Sequence, residues 1–340
     1  MKKLRILVLL HEALMPPEDI TGTDLATVEW KTEFDVVSTL RDMGHEVQPV
    51  GVRSDLAVIR TAIEEWKPHI AFNLLEEFDG VAVYDQNVVA YLELLRVPYT
   101  GCNPRGLMLA RDKALSKKVL AYHRIHVPDF AVFPVGRAVR VRKRLLFPLI
   151  VKSVSQEASL GISQASIVDN EEKLRERVAF VHNHVGTDAI GEGYIEGREL
   201  YVGVLGNMRL EVFPVWELFL SGMPDDVRHI ATARVKWSPK YRKKHGIKSG
   251  AAKGLSEEMV EEMQHVAKRV YRALNISGYA RIDMRLSPDG KVYVLEANPN
   301  PEIAYGEDLA ESAEQAGVSY EGLLQRILNL GLQWRPDRLG

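Results

Sequence analysis

A chain of 340 residues with 46% apolar and 26% charged side chains has the composition of an ordinary folded protein, with length enough for two or three domains. Its net charge of −2 excludes a global attraction to nucleic acid or to an anionic membrane. The single cysteine, Cys102, excludes an intrachain disulfide framework and fits a reducing compartment.

The first apolar run, Leu4–Leu10, follows Met1-Lys2-Lys3 but leads into His11 and Glu12 without a small-residue cleavage site. It therefore reads as a buried strand rather than a leader. No window approaches the roughly 18 to 20 apolar residues of a membrane span, so a cytoplasmic protein is expected. A helix over Val28–Met43, a strand over Glu46–Val52, a helix over Asp55–Trp66 and a strand over Ile70–Leu75 follow. A helix over Gln86–Leu95 and a short strand over Pro98–Thr100 complete the first hundred residues. This alternation predicts a parallel sheet with crossover helices. The long loop His11–Thr27 lacks a G-x-G-x-x-G pattern, so a dinucleotide site of the usual kind is not supported. Cys102, with no histidine nearby in sequence, reads as a packed small residue rather than a nucleophile.

A second region opens near Gly106 with a helix over Leu109–Tyr122 that carries Arg111, Lys113, Lys117 and Lys118. After Val127-Pro128 the pattern predicts a strand, a basic helix around Arg137–Arg144 and a strand Pro148–Lys152. A small, polar loop (Ser153–Ser163), a strand and a helix over Glu171–His182 follow. A lysine that ends a buried strand and enters such a loop can meet phosphate as a point charge, while loop N–H groups wrap the oxygens. A plain surface strand end is the alternative. Basic residues in a helix's first turn oppose the helix dipole unless they hold an anion.

The third region begins at Ile190 with GEGYIEGRE, then strands Leu200–Leu205 and Leu210–Pro214. A largely irregular stretch from Ser221 to Lys253 has the length of an active-site lid. Its basic run, from Lys240 to Lys248, suits a solvated loop, phosphate closure or an anionic partner. A helix Glu257–Leu274 leads to the most informative segment, GYARIDMRLSPDGKVYVLEANPNP, and helices over Leu309–Ala316 and Tyr320–Leu330 close the chain. That segment reads as two strands around Ser287-Pro288-Asp289-Gly290, because Asp-Gly between alternating apolar runs signals a hairpin. With an even number of loop residues, Arg281 and Asp283 share one face with Glu296 and Asn298. Ala280, Ile282, Met284, Leu286, Tyr293 and Leu295 then form the core face. Two carboxylates and an amide oxygen form a hard site of the kind Mg²⁺ takes when phosphates supply its other ligands. An arginine beside them can stabilise a phosphoryl group in transfer. The alternative is a solvated face with one surface ion pair.

The order R-x-D, turn, E-A-N-P resembles the metal-binding hairpin of the ATP-grasp enzymes, and nearly the whole chain resembles D-alanine–D-alanine ligases, with the ATP-side motifs in matching order. The resemblance implies an α/β fold: an N-terminal Rossmann-like parallel-sheet domain (1–105), then two α+β subdomains (106–189 and 190–340) that sandwich ATP. Residues 221–253 form the lid and 278–301 the metal hairpin in this scheme. It further implies an ADP-forming carboxylate–amine ligase acting through an acyl phosphate on small-molecule substrates, with no nucleic-acid or membrane partner and, by analogy, a homodimer. In the match, VKSVSQEASLGIS carries Lys152 over as a phosphate lysine and Ser159 and Gly161 as the covering loop, and RDKALSK carries Lys113 as a second phosphate lysine. GEGYIEGRE implies Glu192 at the adenine amino group, Tyr194 and Ile195 along the adenine edge and Glu199 at the ribose hydroxyls. The resemblance implies Lys236 as the lid lysine that reaches the γ-phosphate and Arg281 as the residue that stabilises the transferred phosphate. The resemblance also implies Asp283, Glu296 and Asn298 as ligands of Mg²⁺, two ions bridged by Glu296, with Mn²⁺ as an alternative.

The substrate side departs from the family. HEALMPPEDITGTD stands in place of H-G-G-x-S-x-E-x-x-V-S, whose glutamate holds the first D-alanine. LLEEFDG replaces the internal H-G-x-x-G-E-D-G, and Asn298 runs into Pro299-Asn300-Pro301-Glu302-Ile303 rather than T-x-P-G-M-T. Glu307-Asp308-Leu309 stands where a serine–leucine pair would meet the second substrate's carboxylate. The expectation is a ligase for something other than two D-alanines, with an ATP-grasp kinase or a non-ligating ATP-binding protein as the alternative.

Overall fold

The structure is a computed structural model that describes residues 3–25, 27–141, 145–155, 162–220, 222, 223, 228 and 230–335. The first region runs β1 (Arg5–His11), α1 (Lys31–Asp42), β2 (Glu46–Val52), α2 (Ala57–Trp66), β3 (Ile70–Asn73) and α3 (Asp85–Leu94). Its strands form a parallel sheet in the order β2-β1-β3. Alternation along β1 explains why the sheet is buried on both faces. Leu7 and Leu9 enter one core with Ile59 of α2 and Val88 of α3, whereas Ile6, Val8 and Leu10 enter another with Val36 and Leu40 of α1. Pro98–Thr100 contributes only an isolated parallel bridge, Ala71 to Tyr99, rather than a strand.

The expected helix Leu109–Tyr122 is two helices, α4 (Pro104–Arg111) and α5 (Lys113–Tyr122). The chain breaks at Asp112, which takes extended backbone angles and accepts hydrogen bonds from Ala114 and Leu115 N–H. Apolar periodicity runs through the joint, and an aspartate N-cap overrides it. Next come β4 (Phe130–Phe133), β5 (Leu149–Ser153), β6 (Ile167–Val168), α6 (Glu171–Phe180) and β7 (Ala189–Gly193). These strands form an antiparallel sheet in the order β4-β7-β5-β6. The basic helix expected around Arg137–Arg144 does not form over 137–141, and 142–144 lie outside the described residues.

The third sheet is antiparallel, ordered β11-β10-β8-β12-β13, with β9 added to β8. Its strands are β8 (Arg198–Leu205), β9 (Glu211–Val212), β10 (Trp216–Phe219), β11 (Lys248–Ala251), β12 (Tyr279–Leu286) and β13 (Val292–Pro299). The segment expected to be irregular between Ser221 and Lys253 instead carries α7 (Ala233–Trp237), α8 (Pro239–Lys244) and β11. Val235 of α7 is fully buried against Tyr201, Trp216 and Leu218, and this small core folds the segment down on the sheet. Helices α9 (Glu257–Ala273), α10 (Asp308–Gln315) and α11 (Tyr320–Gln333) complete the chain. The core behind β8, β12 and α9 is continuous with that of β1 and β3, so the first and third sheets are bound together. Residue 106 falls inside α4 and residue 190 inside β7, which pairs with β4 and β5 and so stays with the middle sheet.

Candidate active site

The hairpin β12–β13 sets the site, and its geometry differs from the expected one in an instructive way. Ser287 N–H bonds to Lys291 C=O, and Gly290, at φ 81°, bonds back to Ser287, so Pro288, Asp289 and Gly290 form a three-residue loop. The odd loop alone would throw Glu296 and Asn298 onto the face opposite Asp283. A β-bulge between Asp283 and Met284 restores the pairing, with Asp283 opposite Glu296 and Arg281 opposite Asn298. Before the bulge Met284 faces Val294 and Leu286 faces Val292, so Val292 and Val294 are core while Tyr293 and Leu295 are only partly buried. The expected core assignment of those last two residues is thereby corrected. The Lys117 ammonium donates to the Leu295 carbonyl at the bulge, and Val294 N–H bonds to His126 C=O at 2.9 Å.

Across β12, strand β8 places Tyr201 opposite Asp283 and Glu199 opposite Arg285. Arg281 grips both oxygens of Asp283, at 2.8 and 3.0 Å, stacks 4.6 Å over the Tyr201 ring and reaches Asp308 at 3.8 Å. Burial, reinforced by Glu296, raises the Asp283 carboxyl despite Arg281. Burial would also lower Arg281, but Asp283 outweighs it and the guanidinium is held firmly charged. Glu296 shows the reverse balance. Burial raises it, yet Lys113, Lys152, Lys236 and Lys117 more than offset this and hold it well below the usual carboxylate range. Lys236 of α7 acts on Asp283 as well, so the segment over β10 brings its lysine to the hairpin.

The lysines come from two elements. Lys113 and Lys117 lie one turn apart on α5, whose start is tied to the end of β5 by Lys113 N–H to Val154 C=O at 3.1 Å. Lys113 Nζ stands 3.7 Å from Glu296. Lys152, next to last in β5, stands beside Glu192 of β7, with Nζ 3.2 Å from one Glu192 oxygen, and Lys117 Nζ lies 3.4 Å from the other. Lys117 and Glu192 are both 1% exposed. Burial lowers Lys117 to about 8, and the neighbouring Lys152 adds to that. For Lys152, burial is outweighed by Glu192 and Glu296, which raise it.

Two expected ATP contacts are occupied by protein partners. Glu192, expected at the adenine amino group, is the counter-ion of Lys117 and Lys152. Glu199, expected at the ribose, takes Arg285 at 2.5 Å and the Tyr201 hydroxyl at 3.1 Å. Arg285 also donates to Ile195 C=O at 3.3 Å and lies over the Tyr194 ring, thereby joining the sheet to the segment that links β7 to β8. Tyr194 and Ile195 are half-buried there. Ser159 and Gly161 lie outside the described residues. Sequence reasoning missed Arg285 and the pairing role of Lys117; the period-two spacing Arg281, Asp283, Arg285 was the signal for the first.

Among the described residues no three His, Cys, Asp or Glu side chains converge as a metal site. The donor set here is two carboxylates and Asn298, which suits Mg²⁺ only with phosphate oxygens completing the shell. Arg281 leaves each Asp283 oxygen a further lone pair. The buried Asn298 Nδ2 has no partner in the protein, and turning that amide by half a rotation presents a hard oxygen instead. The residues fit the ion.

The family described as "D-ala D-ala ligase C-terminus" matches residues 118–329. The D-alanine–D-alanine ligase of Desulforudis audaxviator is 31% identical over 301 residues, 87% of this chain and 90% of its own. The crystal structure of D-alanine–D-alanine ligase from Bacillus anthracis complexed with ATP superposes with a TM-score of 0.74 at 24% identity, covering 97% of this chain and 98% of that one. The VanG D-Ala:D-Ser ligase from Enterococcus faecalis superposes with a TM-score of 0.70 at 20% identity, over 97% of this chain and 100% of its own.

Proposed function

The chain belongs to the D-alanine–D-alanine ligase family of ATP-grasp enzymes and is thus an ATP-dependent ligase forming C–N bonds; from that premise we propose that it joins a carboxylate to an amine other than D-alanine. The observation that carries the proposal is Asp308, 3.8 Å from Arg281, with Glu302 and Glu307 close behind. An acceptor's free carboxylate would meet like charge there, whereas a plain amine would not.

In this reading Lys113 and Lys152 hold the ATP phosphates, Glu192 holds Lys152 and Lys117 in place, and Arg285 orients Glu199 toward the ribose. Asp283, Glu296 and Asn298 hold Mg²⁺, which supplies charge neutralisation at the phosphates when bound. Lys236 closes over the γ-phosphate and excludes water. Arg281 stabilises the phosphoryl group as the substrate carboxylate takes it, and again the tetrahedral centre as the amine attacks. The three sheets correspond to the N-terminal, central and C-terminal units of this scheme.

The test is phosphate release from Mg-ATP with pooled D- and L-amino acids and small amines, beside Glu296→Gln. Release that requires an amine and falls at least about a hundredfold in the variant supports the reading. Amine-independent release, or efficient dimerisation of D-alanine alone, would overturn it.

A further inference from the structure

The segment read above as the lid carries more positive charge than a nucleotide needs. Between Arg228 and Ser256 the chain holds nine lysines and arginines and no aspartate or glutamate, within a protein whose net charge is −2. Lys236 acts on Asp283 and Glu296, at the hairpin. Arg234, Lys240, Lys243, Lys244 and Lys248 are exposed instead, and among the described residues none of the five pairs with a carboxylate. Tyr241 sets the arrangement on α8. Its ring packs on the small core around Val235, with the His245 ring 4.4 Å away, so one face of the helix is turned inward. Lys240, Lys243 and Lys244 then fall on the outer side.

That outer side opposes its own folding. Lys240 stands three and four residues before Lys243 and Lys244, the spacing at which like charges destabilise a helix. A six-residue helix that keeps this repulsion without a counter-charge breaks a local rule, and such breaks fall at functional surfaces. The surroundings discriminate among anions. A single residue, Ser238, separates α8 from α7, so these lysines lie beside the one at the hairpin, where the assigned reaction consumes a carboxylate. The other flank is an acidic pocket, with Asp308 by Arg281 and a cavity lined by Glu33, Glu76 and Glu302, and it would repel an anionic chain. Arg242, half-buried, faces that flank: it draws down the Glu307 carboxyl, which burial, Glu302 and Asp308 raise. Tyr241 is packed inward, so α8 offers nucleic acid charge without a stacking ring. Steps of about 6 Å between turns of a helix match the alternate side chains of an extended peptide, about 7 Å apart.

We propose that the outer face of α8 and the start of β11 form a docking surface for an acidic peptide, which brings one of its carboxylates to Arg281 as the donor. This deepens, and rests on, the ligase reading above. Lys240, Lys243, Lys244 and Lys248 hold the side-chain carboxylates that do not react. One oxygen of the reacting carboxylate attacks the γ-phosphorus, the bond from phosphorus to the bridging oxygen breaks, and ADP leaves with that electron pair. The neutral amine nitrogen then attacks the acyl carbon, forming the C–N bond. The C–O bond to phosphate breaks, inorganic phosphate leaves with its electron pair, and the nitrogen's proton passes to solvent.

The experiment is fluorescence anisotropy of labelled hexaglutamate, hexaglutamine and a thymidine hexanucleotide on the full chain, beside phosphate release from Mg-ATP with hexaglutamate and pooled amines. Both are repeated on Lys240→Glu, Lys243→Glu and Lys244→Glu together, and on the same three positions changed to Gln. Hexaglutamate is expected to bind at least about tenfold tighter than hexaglutamine, and to weaken as salt is raised. The charge reversal should weaken it at least about tenfold and the neutral variant by less, with KM for the peptide raised and kcat within about twofold. Equal binding of the two peptides, tighter binding of the oligonucleotide, or no change in both variants would overturn the proposal. Peptide binding without peptide-dependent release would overturn the donor role. Any of these results with amine-dependent release from the amino-acid pools intact leaves the ligase reading standing; that reading fails separately, on the absence of such release from every pool.

Discussion

Glu192→Gln tests whether this carboxylate anchors the lysine cluster. It lies 3.4 Å from Lys117 and 3.2 Å from Lys152, and both Lys117 and Glu192 are almost wholly excluded from water. Removing one partner of a buried ion pair costs about 3–5 kcal/mol, because the other charge is left without compensation. Lys117 has a partial escape: at about 8 its ammonium is already easily neutralised, and shedding the proton at pH 7 costs only about 1.4 kcal/mol per pH unit. The lower end of the range, about 3 kcal/mol, is therefore expected. With an unfolding entropy of about 2.1 cal/mol/K per residue, 340 residues lose about 4 °C in Tm if they melt as one unit. Scanning calorimetry with and without a non-hydrolysable Mg-ATP analogue checks this. The nucleotide should raise Tm more in the variant than in the parent, since phosphate gives Lys152 a new counter-ion. A Tm within about 1 °C of the parent, with the same nucleotide effect, would refute the anchoring argument.

Two further outcomes follow from the geometry. Gly278, at φ 73°, packs against Gly101, and a Cβ there would sit 2.4 Å from the Gly101 carbonyl oxygen. Gly278→Ala should lower stability by about 2–4 kcal/mol in urea unfolding, and a loss below about 0.5 kcal/mol would contradict the packing. Glu33 is the subject of the second. Its folded-state value of about 7 lies above the usual 4.5, so the folded protein binds that proton more tightly and stability falls as pH rises from about 4.5 to 7. The shift corresponds to about 3 kcal/mol, and Glu33→Gln should remove that share of the decline. Glu307, also pushed up to about 7, contributes in the same direction and remains in the variant. Parallel stability–pH curves for parent and variant would refute the assignment.

Much of the frame was legible because it rests on short-range pattern. The alternation in β1, the strand ending at Lys152, the Asp-Gly turn and the R-x-D, E-A-N spacing each need only local periodicity and turn chemistry. The segment expected to be a lid was not legible in its form: α7 and β11 depend on Val235 reaching Tyr201 and Trp216, which sequence spacing does not reveal. Likewise Asp112 splits a helix whose apolar pattern continues across it.

What the sequence alone determined is the set of groups on each strand and helix, since side-chain direction follows from a period of two or of 3.6. Which groups meet was decided by tertiary structure. The odd hairpin loop would have parted Asp283 from Glu296, and a bulge at Leu295, held by Lys117, brings them together. Glu192 and Glu199 were expected, by resemblance, at a nucleotide, but only the sheet register gave them Lys117, Lys152 and Arg285 as partners. The acidic pocket is assembled from α1, the end of β3 and the segment after β13, three segments well separated in the chain. Like charges so far apart have no local signature, and their repulsion exists only once packing has brought them to one cavity.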